Sequence, residues 1–364
     1  MGTRLSERSG SRANVFDVLR LTAAMAVLLS HCYPLTGRQE PFARVTGETL
    51  GDIGVSVFFA ISGFLVARSW ASQPGLRPFA AKRALRLLPA LLVCVWLLAL
   101  VLGPIVTTLS LGEYVTTPQT WIYPLRSSVL ITFAGRLPGV FEHNPFVNAV
   151  DGSLWTLPLE ACAYVMVAVL GALALLHRRA LLAGLVVVGL IALSPPVDVA
   201  SHLPGGAQDT AAGGNVEIVI HLVVVFLAGS TLFAARDRVV LSWWVAAALG
   251  LLWVVSWKSS WVTVTASLFI PYTILVIAYR APLRLNALVA PGDVSYGVYV
   301  YAFPVQQTLA LAWKGITPLG MLLVAAPVTY LLGLASWRLV ESRALALKGR
   351  VVASRPDPRV TSAA

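Results

Sequence analysis

Leu87–Val106 reads LLPALLVCVWLLALVLGPIV, twenty residues without a charged side chain. A helix of that length rises about 30 Å, the thickness of a bilayer's hydrocarbon core. A stretch so uniformly apolar has no polar face to turn toward water, so its solvent is lipid. Glu160–Leu176 is nearly as apolar, and the whole chain agrees, with 57% hydrophobic and 12% charged residues among 364 and a mean hydropathy of +0.79. Ordinary soluble domains carry about 25% charged residues.

Outward from 87–106, apolar runs recur near 15–34, 51–68, 154–176, 180–194, 216–235, 239–257, 260–279, 294–313 and 317–340. The expected fold is all-α, a polytopic integral membrane bundle of about ten transmembrane helices. Residues 121–133 are too short and interrupted for a span and read as interfacial or re-entrant. The expected division is a cytoplasmic N-terminal tail (1–14), a transmembrane domain (15–341) and a mobile cytoplasmic tail (342–364). That last stretch mixes Arg, Pro, Ser and Ala without periodicity. The first apolar run follows a basic tail, as in a signal peptide. It contains Asp17 and Arg20 and lacks a clear small-residue cleavage site, so it reads as a retained span.

The net charge of +11 is spread over the ends of apolar runs and makes no continuous basic face, which argues against nucleic acid as a partner. With both termini inside, Arg68, Lys82, Arg83, Arg178, Arg236 and Arg280 fall on the cytoplasmic side, while Asp151, Asp198, Asp209 and Glu217 fall outside. This asymmetry is the positive-inside pattern of a multi-pass protein of the cell (inner or plasma) membrane. It turns the 107–153 and 195–215 loops outward. Cys32, Cys94 and Cys162, and His143, His177, His202 and His221, have neither disulfide nor metal-ligand spacing. No metal and no permanently bound cofactor is expected.

Ionisable groups inside spans cost free energy and face a cavity or a partner. Arg20 and His31, eleven residues apart, are separated by about 1100° of helical rotation, within roughly 20° of three full turns. They share one face, about 16 Å apart, a cation at the inner end and an imidazole toward the outer. Snorkelling of Arg20 and an interfacial His31 explain the two equally well when each is taken alone. Arg83 and Arg86 lie three apart before the 87–106 span, as a bidentate phosphate binder requires and as ordinary cytoplasmic basicity also allows. Glu160 lies a few residues inside the outer end of its span, at a depth similar to His31, and needs a partner. Paired with His31, it orients the ring. The small residues of Gly54–Phe64 read as a close helix contact, with Ser56 and Ser62 as interhelical hydrogen bonders. In the run opening with Asp293, Ser295, Tyr296 and Tyr299 line a polar cavity or anchor the helix at the interface.

Taken in order, these motifs resemble the membrane-bound acyltransferase 3 family over nearly the whole chain. Arg20 with His31 matches its Arg-x10-His feature, Gly54–Phe64 its Phe-Phe-x-x-Ser-Gly-Phe-like segment, and Arg83 and Arg86 its Arg-x-x-Arg. Ser153–Glu160 matches its Ser-Leu-Trp-x-Leu-x-x-Glu, and Ser295–Tyr299 its Ser-Tyr-Gly-x-Tyr. The resemblance implies an O-acyltransferase that moves an acyl group, commonly acetyl, from cytoplasmic acyl-CoA to a hydroxyl of a carbohydrate or glycoside at the outer face. On that reading Arg20, Arg83 and Arg86 hold CoA phosphates and His31 is general base or transient acyl carrier. Glu160 positions it, and Asp151, Trp155, Ser295, Tyr296 and Tyr299 face the acceptor or cavity. Two positions depart from the family's usual residues: Ala302 stands where members often carry histidine, and Asp151 where they often carry asparagine. A transporter or exporter of a small molecule or glycan is the rival reading, since transport also needs a polar path; no clear inverted repeat supports it.

Overall fold

The structure, a computed structural model, describes residues 3–11, 13–130, 135–193, 216–259 and 261–349. Long helices occupy the expected apolar runs: α1 (Phe16–His31), α2 (Leu50–Ser72), α3 (Leu76–Leu97), α4 (Thr156–Ala172), α5 (Arg178–Leu193), α6 (Val216–Ala234), α7 (Trp243–Ser256), α8 (Val262–Arg280), α9 (Ser295–Ala312) and α10 (Pro318–Ser336). Among the described residues six stretches are long and apolar enough to cross a membrane: Phe16–Thr36, Leu50–Ser72, Leu76–Val106, Glu217–Ala234, Val262–Arg280 and Pro318–Ala346. Val165, Val169, Leu190, Leu251, Val255 and Leu323 are exposed on the helices, as lipid-facing side chains are. The chain is a nearly all-α, multi-pass membrane protein.

The 121–133 stretch lies partly outside the described residues, and its visible part belongs to a short helix, Pro118–Ser128. Past α10 the chain runs through a π-helical turn, Trp337–Glu341, into a short helix, Ser342–Ala346, and the 350–364 part of the expected tail lies outside the described residues. The 195–215 loop lies outside the described residues. A two-stranded clasp joins β1 (Thr3–Arg4) to β2 (Val240–Leu241), antiparallel, with Thr3 opposite Leu241.

The centre of the bundle is α2, packed chiefly between α6 and α1. Its small residues permit this, as the sequence implies. A Cβ on Gly63 would strike the Phe226 carbonyl, and one on Gly229 would strike the Ala60 carbonyl, so the α2 and α6 backbones touch. Gly54 meets α1 in the same way, where an added Cβ would sit 2.8 Å from the Ala23 carbonyl oxygen. Gly63→Ala is expected to force the two helices apart at a cost of about 1–3 kcal/mol, measured as a lower melting temperature of the detergent-solubilised protein. Hydrogen bonds complete the core: the Ser56 hydroxyl and His221 Nε2 are 2.9 Å apart, and Ser230 donates to the Gly63 carbonyl at 3.0 Å.

The segment before α4 is fastened to α9. Gln307 donates to the carbonyls of Phe146 and Ala149, and Asn144 donates to the Gln307 side chain, each at 2.8 Å. This fixes the path by which Ser153 and Trp155 enter the bundle.

Candidate active site

Two cavities lie along α1. One, of about 720 Å³ and named the inner cavity after the side on which the sequence reading expects it, is bounded by six cationic side chains, Arg20, Arg68, Lys82, Arg83, Arg86 and Lys348, and by three carboxylates, Asp17, Glu160 and Asp293. The outer one, of about 540 Å³, is lined by His31, Asp52, Ser153 and Trp155, with Arg38 and Arg44 at its walls. Arg20 and His31 thus open into different chambers from the two ends of one helix, as their eleven-residue spacing implies.

In the inner cavity Asp293 organises the arginines. Its Oδ2 accepts from Arg86 Nη2 at 2.6 Å and from Arg20 Nη1 at 3.3 Å, and its Oδ1 accepts from the Ser295 hydroxyl at 2.5 Å. Burial raises the Asp293 carboxyl, and the Arg86 and Arg20 guanidiniums more than reverse this, holding it at about 2. Arg86 also lies 3.8 Å from Glu341, and Arg20 3.2 Å from Asp17. Arg83 differs: among the described residues it forms no ion pair. Its guanidinium lies over the Tyr164 ring at 5.6 Å and the Phe79 ring at 5.8 Å, and reaches the Ser69 hydroxyl at 3.4 Å. Such a cation keeps its charge for an incoming anion. Lys348, at the C-terminal end of the described chain, completes the ring. Burial and the neighbouring Arg83 and Arg86 bring its ammonium down to about 8.

Glu160 is not beside His31. Its Oε1 accepts from the Tyr164 hydroxyl at 2.5 Å and from the Ser62 hydroxyl at 3.1 Å, and it borders the inner cavity. The sequence reading placed it by depth along the span. Its direction around α4 instead puts it with Tyr164, one turn on, beneath Arg83. His31 rests edge-on against Phe303, with ring centroids 5.2 Å apart. Its Nδ1 has no hydrogen-bond partner among the described residues. Two carboxylates share its cavity: Glu40, which accepts from the Ser30 hydroxyl and the Leu50 amide, and Asp52, held by the Thr49 amide and hydroxyl in a capping box that opens α2.

The other expected residues divide. Trp155 lines the outer cavity, Tyr296 the inner, and Tyr299 both. Ser295 lines neither and acts through its bond to Asp293. Asp151 also lines neither, which corrects the expectation that it faces the acceptor or cavity. It is buried at 2% exposure, and its Oδ1 accepts from the Ser153 amide at 2.9 Å. Burial pushes its carboxyl up to about 8 against the lowering bonds from Ser153. Ala302 is buried in a cluster with Cys32 and Leu35, away from both chambers. Sequence reasoning missed three contributors: Asp293, Asp52 and Lys348. Only Asp52 carried a local signal, the Thr49-x-x-Asp52 spacing of a capping box.

The arrangement combines a cationic chamber with an adjoining chamber that holds an imidazole. Comparison with known proteins gives it a context. The family profile described as an acyltransferase domain matches residues 14–338. The chain is 33% identical over 344 residues to the "O-acetyl transferase" of Shigella phage Sf6, covering 92% of this chain and 96% of that protein. It is 32% identical over 392 aligned positions to "Nodulation protein 10" of Rhizobium leguminosarum bv. viciae, covering 96% and 98%. Part of the "Regulator of hypoxia-inducible factor 1" of Caenorhabditis elegans aligns at 29% identity, over 48% of this chain and 36% of that protein. No solved structure matches the chain significantly. A match that spans nearly the whole bundle, on a chain whose polar chambers suit group transfer, makes this protein a member of the acyltransferase 3 family and an acyltransferase.

Proposed function

We propose that the protein transfers an acyl group, acetyl foremost, from cytoplasmic acyl-CoA to a hydroxyl of a carbohydrate or glycoside at the outer face of the cell membrane. In this reading all ten long helices cross and both termini are cytoplasmic. The observation that carries it is the pair of adjoining chambers, one cationic and one holding His31. Arg83, Lys348 and the Asp293-bound pair Arg20 and Arg86 hold the phosphates of CoA, and its slender arm carries the thioester toward His31. The imidazole accepts the acceptor's hydroxyl proton as that oxygen attacks the thioester carbonyl. A C–O bond forms, the C–S bond breaks, and the proton passes on to the departing CoA thiolate. Glu160 acts on the donor side, fixing Tyr164 under Arg83. Membranes of expressing cells, given radiolabelled acetyl-CoA, are expected to incorporate label into their glycan fraction. Incorporation no greater than in membranes lacking the protein would overturn the proposal.

Two further outcomes belong to the donor chamber. Arg83→Ala removes a cation that forms no ion pair among the described residues, so KM for acetyl-CoA is expected to rise about 10–100-fold while kcat changes little, the loss of one charge-assisted phosphate contact. Lys348 is charged below about 8 and neutral above. Raising pH therefore removes a phosphate-binding charge, and kcat/KM for acetyl-CoA is expected to fall several-fold between about pH 7 and pH 9. Lys348→Arg stays charged throughout and is expected to flatten that limb of the pH profile.

A further inference from the structure

Among the described residues, Val55 and Tyr299 are the two that line both cavities. They therefore stand at the junction between the cationic chamber and the chamber of His31. Tyr299 is held rigidly there. Its hydroxyl donates to the Ser153 carbonyl at 2.9 Å and accepts from the Thr156 hydroxyl at 2.6 Å, and its ring meets Phe58 edge-on at 5.5 Å. A ring fastened at its tip and braced on its face does not swing aside without breaking two hydrogen bonds. Val55, on α2, is β-branched and stiff at χ1, with no polar atom to engage a partner. Its backbone is fixed as well, because the preceding Gly54 lies against the Ala23 carbonyl of α1.

We propose that Val55 and Tyr299 form a neck that selects the acyl group by girth rather than by length. The inference rests on the acyltransferase reading, in which the thioester travels from the inner chamber to the outer one. An unbranched acyl chain is no thicker than the pantetheine arm that follows it, so acetyl, propionyl and butyryl groups pass alike. A chain branched next to the carbonyl adds a methyl group at the narrowest point, between an immobile ring and an immobile isopropyl group. Neither wall yields by rotation, so the extra methyl produces overpacking and not a shifted fit.

The test uses membranes of expressing cells, which supply their own acceptors, with radiolabelled acetyl-, butyryl- or isobutyryl-CoA. Butyryl and isobutyryl have the same atoms and differ in girth. The ratio of isobutyryl to butyryl incorporation is independent of how much folded protein each variant yields. Wild type is expected to favour butyryl. Val55→Ala, which removes two methyl groups from the neck, is expected to raise the isobutyryl-to-butyryl ratio about tenfold, the usual discrimination for one methyl-sized group. Val55→Ile is expected to lower it further below wild type. A ratio unchanged in both variants overturns the neck, and so does a rise in butyryl equal to that in isobutyryl, which would make length the selected property. Incorporation of acetyl by wild type together with either of those results leaves the transfer reading standing and removes only the neck. Absence of acetyl label above that of membranes lacking the protein removes both.

Discussion

His31→Ala is expected to lower acyl transfer by about 10²–10⁴-fold, the contribution of a positioned general base. In the proposed reaction the imidazole lies where a hydroxyl entering from outside meets a thioester arriving from within. It opens into the outer chamber and stacks edge-on against Phe303, so its ring plane is set by packing. Nδ1 has no competing bond among the described residues. The substitution removes the ring from the wall of an open cavity, so the helix and its contacts with α2 are expected to survive. The measurement is label transfer from acetyl-CoA, normalised to the amount of protein in the membrane. Undiminished transfer at normal abundance would remove His31 from the mechanism and leave the outer chamber a binding site only.

Asp293→Ala is expected to produce the largest loss of stability. Two guanidiniums from different helices, Arg20 of α1 and Arg86 of α3, converge on one carboxylate that is 9% exposed. Removing it leaves two like charges facing each other in a partly enclosed space. Breaking a fully buried ion pair from one side costs about 3–5 kcal/mol, and the loss here is expected at or below the low end of that range, because Asp17 and Glu341 still compensate Arg20 and Arg86 in part. A marked fall in melting temperature and in folded yield is expected. Adding Arg86→Leu to Asp293→Ala is expected to restore part of the loss, since an apolar side chain of similar size does not leave an unpaired charge. If Asp293→Ala melts with the wild type, the three-way bridge carries no structural weight and Asp293 serves only the donor.

The helices were legible because lipid imposes a simple rule: each run of about twenty apolar residues must close its own hydrogen bonds. The glycine contacts of α2 were legible for a similar reason, since small residues at helical spacing have few uses other than close approach. The eleven-residue interval placed Arg20 and His31 correctly at the two ends of one face, because helical rotation is local arithmetic. Partnership was not legible. Glu160 lay at the expected depth, but depth along a span does not give the direction around it, and that direction chose Tyr164 and Ser62 over His31. Asp293 was visible at the head of α9, yet nothing in its neighbours announces two arginines that lie over 200 positions earlier in the chain. Asp151 was expected to face the acceptor or cavity because a carboxylate at the end of a loop usually meets water. Here the fastening of residues 144–149 to Gln307 carries the loop inward with it.

The small clasp between β1 and β2 has a bearing on how the chain is threaded. Strands that pair must meet in one aqueous compartment, so the chain between Arg4 and Val240 passes through the bilayer an even number of times. Among the described residues, six long helices, α1 to α6, lie in that interval. Parity applies again at the far end. Lys348 borders the same cavity as Arg20, and four more long helices, α7 to α10, separate it from the clasp. On the proposed ten-helix threading, reporters placed ahead of Thr3, after Leu241 and beyond Lys348 are expected to sense one compartment. An odd count anywhere between them would tear either the strand pair or the cationic chamber apart.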